Sequence, residues 1–253
     1  MNMLHQHTIA QLRDLKLLGM ANALQRQMEQ PGSSDMTFEE RLAFLVQHES
    51  DHRNERRYTR LIQQAKLKYS QACIEDFDTR AGRGVERSQF TSLALSEWVS
   101  TGNTIVITGA TGCGKTWLAC ALAQYACRMG HSARYLRITR LSEEIRTMRV
   151  TGTYTKWLTQ LARTDLVVLD DWGLVGLDAQ ARDALMEIVD DRCGSRGTII
   201  TSQLPVDHWH AWIGDAAIAD AMLDRLLQQS HRMVLKGESL RAPSRSRTPK
   251  KPV

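Results

Sequence analysis

Long apolar runs are missing from this chain. No stretch approaches the roughly 20 residues that cross a bilayer as a helix, and the start MNMLHQHTIAQ has no apolar core of the kind a secretory leader carries. A cytoplasmic protein with no membrane partner is therefore expected. Cysteine is sparse and without pattern: Cys73, Cys113, Cys120, Cys127 and Cys193 are odd in number and hold no C-x-x-C pair, which argues against a disulfide scaffold and a zinc knuckle. Proline is scarce as well, 5 in 253 residues, and Pro243, Pro249 and Pro252 cluster in the closing stretch. A net excess of charge is absent from the body of the chain. The formal charge is +5, but Arg241, Arg245, Arg247, Lys250 and Lys251 supply five positive charges after Leu240 with no acid among them. A nucleic-acid partner must therefore be argued from local clusters and not from the total.

What is present is organised around Gly109–Thr116, GATGCGKT, which fits G-x-x-x-x-G-K-[ST] at every required position. Such a loop closes backbone N–H groups around the phosphates of a nucleoside triphosphate, Lys115 neutralises charge, and the Thr116 hydroxyl suits Mg²⁺. Its context fits. Asn103–Thr108, NTIVIT, reads as a buried strand and Trp117–Arg128, rich in Ala and Leu, as a helix whose positive end faces the anion. The expected cradle is Gly109, Ala110, Thr111, Gly112, Cys113, Gly114, Lys115, Thr116 and Trp117, so alkylation of Cys113 is expected to block it.

A second anchor is Leu166–Asp171, LVVLDD, about 55 residues after the loop. An apolar run buried on both faces delivers its terminal carboxylates to the edge where parallel sheets bind ligands. Asp170 is placed to hold Mg²⁺ through water, beside the Thr116 hydroxyl, and Asp171 to orient or activate the attacking water. Thr198–Ser202, TIITS, is another strand, bringing Thr201, Ser202 and Gln203 to the same edge before Pro205 ends it.

Residues 1–70 read as a helical domain. Leu12, Leu15, Met20, Ala23 and Leu24 form a stripe interrupted at Gly19, Pro31–Ser34 breaks the chain, and Thr37 with Glu40 forms a capping box before Phe38, Leu42, Leu45 and Val46. Basic residues then gather: Arg53, Arg56, Arg57, Arg60, Lys66 and Lys68 against Glu55. They form either a face for nucleic-acid phosphates or an ordinary solvated surface, and the sequence leaves both open. His48–His52, HESDH, fits H-E-x-x-H, but its wholly polar surroundings and the lack of a marked third ligand argue against catalytic zinc. Residues 71–102 read as a polar linker through Thr79–Gly84 and then a helix with Phe90, Leu93, Leu95 and Trp98, Phe77 and Trp98 being packing residues. Ala133–Ile138 is a further strand. Thr139–Thr164 is a long helical insertion, and from Arg137 to Arg163 the charges are Arg137, Arg140, Arg146, Arg149, Lys156 and Arg163 against Glu143 and Glu144, with Tyr154 and Trp157 interleaved. This is a second nucleic-acid signal, again alongside the solvated-face reading. His208 and His210, two apart, do not share a helix face and read as packing, Ala216–Gln229 as a helix, Arg232–Leu235 as a last strand, and the tail as disordered.

Strands near 104, 133, 166, 198 and 232 with helices between them predict an α/β fold, a five-stranded, mostly parallel P-loop sheet flanked by helices. That layout resembles the AAA+ ATPases. The segments IEDFD (Ile74–Asp78), GATGCGKTWLACALA, LVVLDDWG, TIITSQLPVDHWH, IADAMLDRLL and HRMVLKGESLR, in this order, resemble the IstB-like transposition helper ATPases, relatives of DnaC-type helicase loaders and the DnaA initiator, over residues 1–241. The resemblance implies a domain for DNA and partner binding at 1–70, an AAA+ domain at 71–241 and a basic tail at 242–253. It implies ATP and Mg²⁺ as cofactors. Lys115, Asp170, Asp171, Gln203 as first sensor and Arg225 as an arginine finger completing a neighbour's site would be the catalytic set. It implies duplex DNA, an IstA-like transposase and further copies of the chain as partners. The DNA contacts expected are Arg53, Arg56, Arg57 and Arg60 in the first domain and Arg140, Arg146, Arg149 and Lys156 in the insertion.

Two departures stand out. The usual acidic pair is Asp-Glu, whereas this chain has Asp170-Asp171, one methylene shorter, so that slow or rearranged hydrolysis is expected. Only 18 residues follow Leu235, too few for a helical lid, which leaves Arg241 as a weak candidate for the second sensor. The expected activity is ATP-dependent assembly on duplex DNA that deforms it and recruits or stimulates a transposase. The alternatives are a DnaC-like helicase loader and a nucleotide-gated DNA scaffold that scarcely hydrolyses.

Overall fold

The computed structural model describes residues 3–29, 36–77, 84, 85, 93, 97–237, 239 and 240. The expected break at Pro31–Ser34, most of the linker and helix of residues 78–96, Arg241 and the basic tail lie outside them. Contacts divide the chain into two compact units, Met1–Arg60 and Leu61–Val253.

The first unit holds α1 (Met3–Asp14), α2 (Leu18–Glu29) and most of α3 (Phe38–Ala65). Thr37 and Glu40 form the expected capping box: the Thr37 N–H donates to Glu40 Oε2 at 2.8 Å and the Glu40 N–H to Thr37 Oγ1 at 3.3 Å. The apolar stripe breaks earlier than at Gly19. Lys16, at φ 60°, turns the chain between α1 and α2, and Leu15 is exposed as a result. Gly19 instead sits inside α2, where an added Cβ would lie 2.5 Å from the His48 carbonyl oxygen; its bare backbone lets α2 press against α3. Glu49 is 7% exposed and accepts from the Met20 N–H at 3.2 Å and from Arg53 Nε at 2.7 Å. The H-E-x-x-H glutamate therefore fastens two helices together. Among the described residues no group of three or more His, Cys, Asp or Glu side chains is placed to hold a metal ion.

The second unit is built on a five-stranded sheet, β1 (Thr104–Gly109), β2 (Ala133–Arg137), β3 (Leu166–Trp172), β4 (Gly197–Ser202) and β5 (Ser230–Leu235), in the order β2-β3-β4-β1-β5. Every pairing is parallel. The central strands read as continuous apolar runs because both their faces are covered, and Ile105, Ile107, Val167, Val168, Leu169, Ile199 and Ile200 are fully buried. The strand carrying the phosphate loop and the acidic strand are separated by β4, as expected from the sequence. Flanking helices include α5 (Lys115–Arg128), the insertion pair α6 (Ile138–Val150) and α7 (Tyr154–Arg163), α8 (Ala179–Arg192), α9 (Trp209–Ile213) and α10 (Ala216–Leu227), with a short α4 (Glu97–Ser100) before β1. Trp209 is fully buried and packs its ring 5.4 Å from that of Trp172, so the packing role read for this segment falls to the residue between His208 and His210. Arg192 is buried too. Its guanidinium donates to the carbonyls of Leu161 and Thr164 at 2.7 Å each and of Asp165 at 3.2 Å, pinning the loop between α7 and β3; burial, with Arg196 nearby, pulls its pKa down to about 9.

Candidate nucleotide-binding site

Four strands deliver the site to the carboxyl edge of the sheet. β1 runs into the glycine loop, whose Gly112 and Gly114 have φ 84° and 99°, a left-handed backbone that side chains resist. The loop leads directly into α5 at Lys115, so the first N–H groups of that helix are aimed at the space an anion would fill. Lys115 is only 8% exposed, and its ammonium donates to the Gly109 and Ala110 carbonyls at 2.8 Å each. The charge is thereby stored against the loop it would serve.

Below the loop lies Asp170, fully buried. One carboxylate oxygen accepts from the Thr116 hydroxyl at 2.8 Å and from the Thr201 hydroxyl, and the other from the Tyr135 hydroxyl. Burial, and then the bond to Asp170, hold the Tyr135 phenol far above its ordinary pKa, so it stays a donor. Thr116 and Asp170 supply oxygen ligands in direct contact with one another, the hard donors and small number that Mg²⁺ takes when substrate phosphates and water complete its shell. The residues present fit that ion.

Asp171 stands apart from its neighbour. The pairing of β3 with β4 shifts between Leu169 and Trp172, and this bulge throws Asp171 to φ 62°. Its side chain faces Arg137 at the end of β2, Nε to Oδ2 3.5 Å. Among the described residues the Arg137 Nε has no hydrogen-bond acceptor, so this is a contact of charges. Burial first, and the adjacent Asp170 second, raise the Asp171 pKa above the usual carboxylate value, while Lys68, Arg137 and Lys115 work against the rise. A carboxylate that is a stronger base than most, lining a cavity, is suited to orienting water. The position also explains the shorter acid: Asp tolerates the left-handed region better than Glu.

Gln203, past the end of β4, accepts from the Thr111 hydroxyl at 2.5 Å, linking the loop to the neighbouring strand. A cavity of about 400 Å³ beside the loop is lined by Thr111, Gly112, Gly114, Lys115, Thr116, Trp117, Asp171 and Gln203, with Asp170 and Tyr135 behind its lining. The same cavity includes Lys68, Tyr69, Arg137, Leu174 and Leu240. Sequence reading named Arg137 and Lys68 only as members of basic clusters and passed over Tyr69, Tyr135 and Leu240. No motif marks them, and they arrive by folding: Arg137 by its parallel register with Asp170, Leu240 because its N–H donates to the Gly112 carbonyl at 3.0 Å. Ser239 fits there because Gly112 has no side chain; a Cβ would come within 2.8 Å of that of Ser239. Trp117 is backed by Phe77, rings stacked with centroids 6.2 Å apart.

Arg225 is not among the residues of this cavity. It lies on α10, its Nε 2.6 Å from Asp190 Oδ1 and its Nη1 donating to the Ala221 carbonyl at 2.9 Å. The basic candidates occupy exposed helix surface. On α3, Arg53, Arg56, Arg57 and Arg60 are exposed, Arg53 being committed to Glu49. In the insertion, Arg140, Arg146 and Arg149 on α6 and Lys156 on α7 are exposed, with the Arg149 guanidinium 4.7 Å from the Tyr154 ring centroid.

Similarity to known proteins agrees with this geometry. The sequence profile of IstB-like ATP binding proteins matches residues 10–248. An ATP-binding protein of insertion sequence IS1162 from Pseudomonas fluorescens is 48% identical over 203 residues, covering 80% of this chain and 88% of that protein. An insertion-sequence ATP-binding protein of Sinorhizobium fredii is 41% identical over 246 residues, 97% of this chain and 100% of the relative. Among solved structures, the DnaC helicase loader superposes with a TM-score of 0.54 at 20% identity over 67% of this chain and 99% of that one. The replication initiator DnaA bound to AMPPCP and single-stranded DNA gives 0.55 at 18% identity, over 66% of this chain and 50% of that one. At those identities the likeness concerns the fold alone.

Proposed function

The chain belongs to the IstB-like ATP-binding proteins of insertion sequences, with an AAA+ fold, and on that premise we propose that it is an ATP-driven switch in DNA transposition. The observation that carries the reading is the contact of Thr116 with Asp170 beneath the phosphate loop, with Asp171 separately lining the cavity. Binding and water activation are thus assigned to different carboxylates. The loop N–H groups and Lys115 hold the triphosphate. Thr116 and Asp170 are the residues that would hold Mg²⁺, which would supply positive charge against the phosphates. Asp171 orients the attacking water, and Gln203, tied to Thr111, registers the state of the terminal phosphate.

Arg225 acts in a neighbouring copy of the chain, which links ATP to oligomer formation. Arg140, Arg146, Arg149 and Lys156, with Arg53, Arg56, Arg57 and Arg60, grip the phosphates of duplex DNA. Such contacts carry little sequence preference, and the assembly deforms the duplex and recruits or stimulates the partner transposase. Bending a site of roughly 20–30 base pairs costs about 1–6 kcal/mol, within reach of many phosphate contacts. One observation favours a less active variant of this reading, a nucleotide-gated scaffold: Asp171 is engaged by Arg137.

The test is electron microscopy of the full chain with ATP and duplex DNA, joined to a steady-state ATPase assay. Wild type should assemble on and curve the duplex, Lys115→Ala should not, and Arg225→Ala should bind ATP while losing hydrolysis and assembly. Assembly by Lys115→Ala, or normal hydrolysis by Arg225→Ala, overturns the reading; assembly without any hydrolysis by the wild type selects the scaffold.

A further inference from the structure

The end of α3 turns sharply. Ala65 is fully buried, Lys66 takes φ 50°, and Leu67 is buried again at 9% exposure. Beyond Leu67 the Ala72 N–H donates to the Tyr69 carbonyl at 3.2 Å, and Ala72 is buried at 2%. Residues 65, 67 and 72 thus clamp an elbow from both sides, and the residues at its bend, Lys68 and Tyr69, are exposed and line the nucleotide cavity. The Lys68 ammonium lies 5.5 Å from the centroid of the Tyr69 ring, where the negative face of the ring attracts a cation. An elbow anchored by three apolar residues is a built wall of the cavity and not a passing loop.

The charges of the site leave a role for it. An ionised triphosphate together with Asp170 and Asp171 carries more negative charge than Lys115, Arg137 and one Mg²⁺ bring. Arg137 is already engaged by Asp171. Lys68 is the further cation that lines this cavity.

We propose that Lys68 is a second phosphate-binding lysine, supplied from outside the glycine loop by the elbow after α3, and that Tyr69 is the positioning residue whose ring holds its ammonium at the cavity. This rests on the cavity being a nucleotide site. Lys68 acts on the phosphates and not on the base, and an ammonium rather than a shape is what the site requires.

The experiment is calorimetric titration of the full chain with ATP and, separately, with inorganic tripolyphosphate. Losing one charge-assisted contact should weaken Lys68→Ala about tenfold for both ligands alike. Lys68→Arg should restore binding, and Tyr69→Phe should bind as wild type because the ring face remains, whereas Tyr69→Ala should follow Lys68→Ala. Unchanged binding by Lys68→Ala, or a loss for ATP with none for tripolyphosphate, overturns the proposal. Lys115→Ala keeps the two levels apart. If it abolishes binding of both ligands while Lys68→Ala does not weaken either, the elbow is wrong and the nucleotide site stands; if Lys115→Ala binds normally, the nucleotide site itself is wrong. Lys68→Gln, with a thermal melt of each variant, separates lost charge from lost fold.

Discussion

Arg137 and Asp171 meet across adjacent parallel strands, 3.5 Å apart, and both line the cavity beside the phosphate loop. The contact bears on the protonation of the carboxylate proposed to orient water. Asp171 has a raised pKa in the folded chain, with burial the first cause and Asp170 the second, and Arg137 among the groups that limit the rise. A carboxyl raised in this way favours the folded state below its unfolded pKa, and that contribution fades as pH climbs through the folded value. Activity runs the other way, since the working form is the anion. Arg137→Gln should therefore shift the acid limb of the ATP hydrolysis profile to higher pH. A profile that stays in place, measured with saturating ATP, removes Arg137 from this role.

The backbone at Asp171 leads to a separate expectation. At φ 62° an Asp or Asn is accommodated, and a longer side chain is strained by about 1–2 kcal/mol. Asp171→Asn should keep the fold and ATP binding but reduce hydrolysis by at least about a hundredfold, the usual scale for losing a general base. Asp171→Glu should hydrolyse, yet melt at a lower temperature than wild type. A glutamate variant more stable than the parent would show that the bulge does not select the shorter acid.

Glu49 carries a prediction for the helical unit. Burial raises its pKa, but the Arg53 side chain and the backbone N–H groups of Met20 and Gly19 outweigh that and leave it below the ordinary carboxylate value. A depressed carboxyl contributes stability above its unfolded pKa and loses it as pH falls through the folded one. Glu49→Ala should destabilise the chain by about 1–3 kcal/mol at neutral pH by stranding the Met20 N–H, and the difference from wild type should shrink at pH values below the carboxylate range. Added zinc should change neither melting curve; protection of the wild type by zinc alone would return the H-E-x-x-H residues to consideration as ligands.

Much of the cavity was legible in the sequence for a physical reason. Gly109–Thr116 and Leu166–Asp171 are each contiguous, and a strand that ends in functional groups must present them at the sheet edge, so position along the chain translates into position in space. The single strand between these two followed from the resemblance to a P-loop layout, and the full order of the sheet did not. Tyr135, Arg137, Lys68 and Leu240 were not legible as parts of the site, because each reaches it through a long-range contact that leaves no local pattern: a register across β2 and β3, an elbow after a helix, a single backbone bond to Gly112. The left-handed conformation of Asp171 was equally hidden. The sequence showed that the second acid is short, and only the bulge between β3 and β4 explains why. The early turn at Lys16 was missed because an exposed Leu15 sits in phase with a helical stripe until the backbone reverses.

The bond from the Leu240 N–H to the Gly112 carbonyl fixes one more property. Leu240 is tied to the glycine loop by this bond, so a fluorophore on residue 240 sits against the loop as a passenger. It offers an optical reporter of nucleotide arrival that leaves every residue of the loop unaltered.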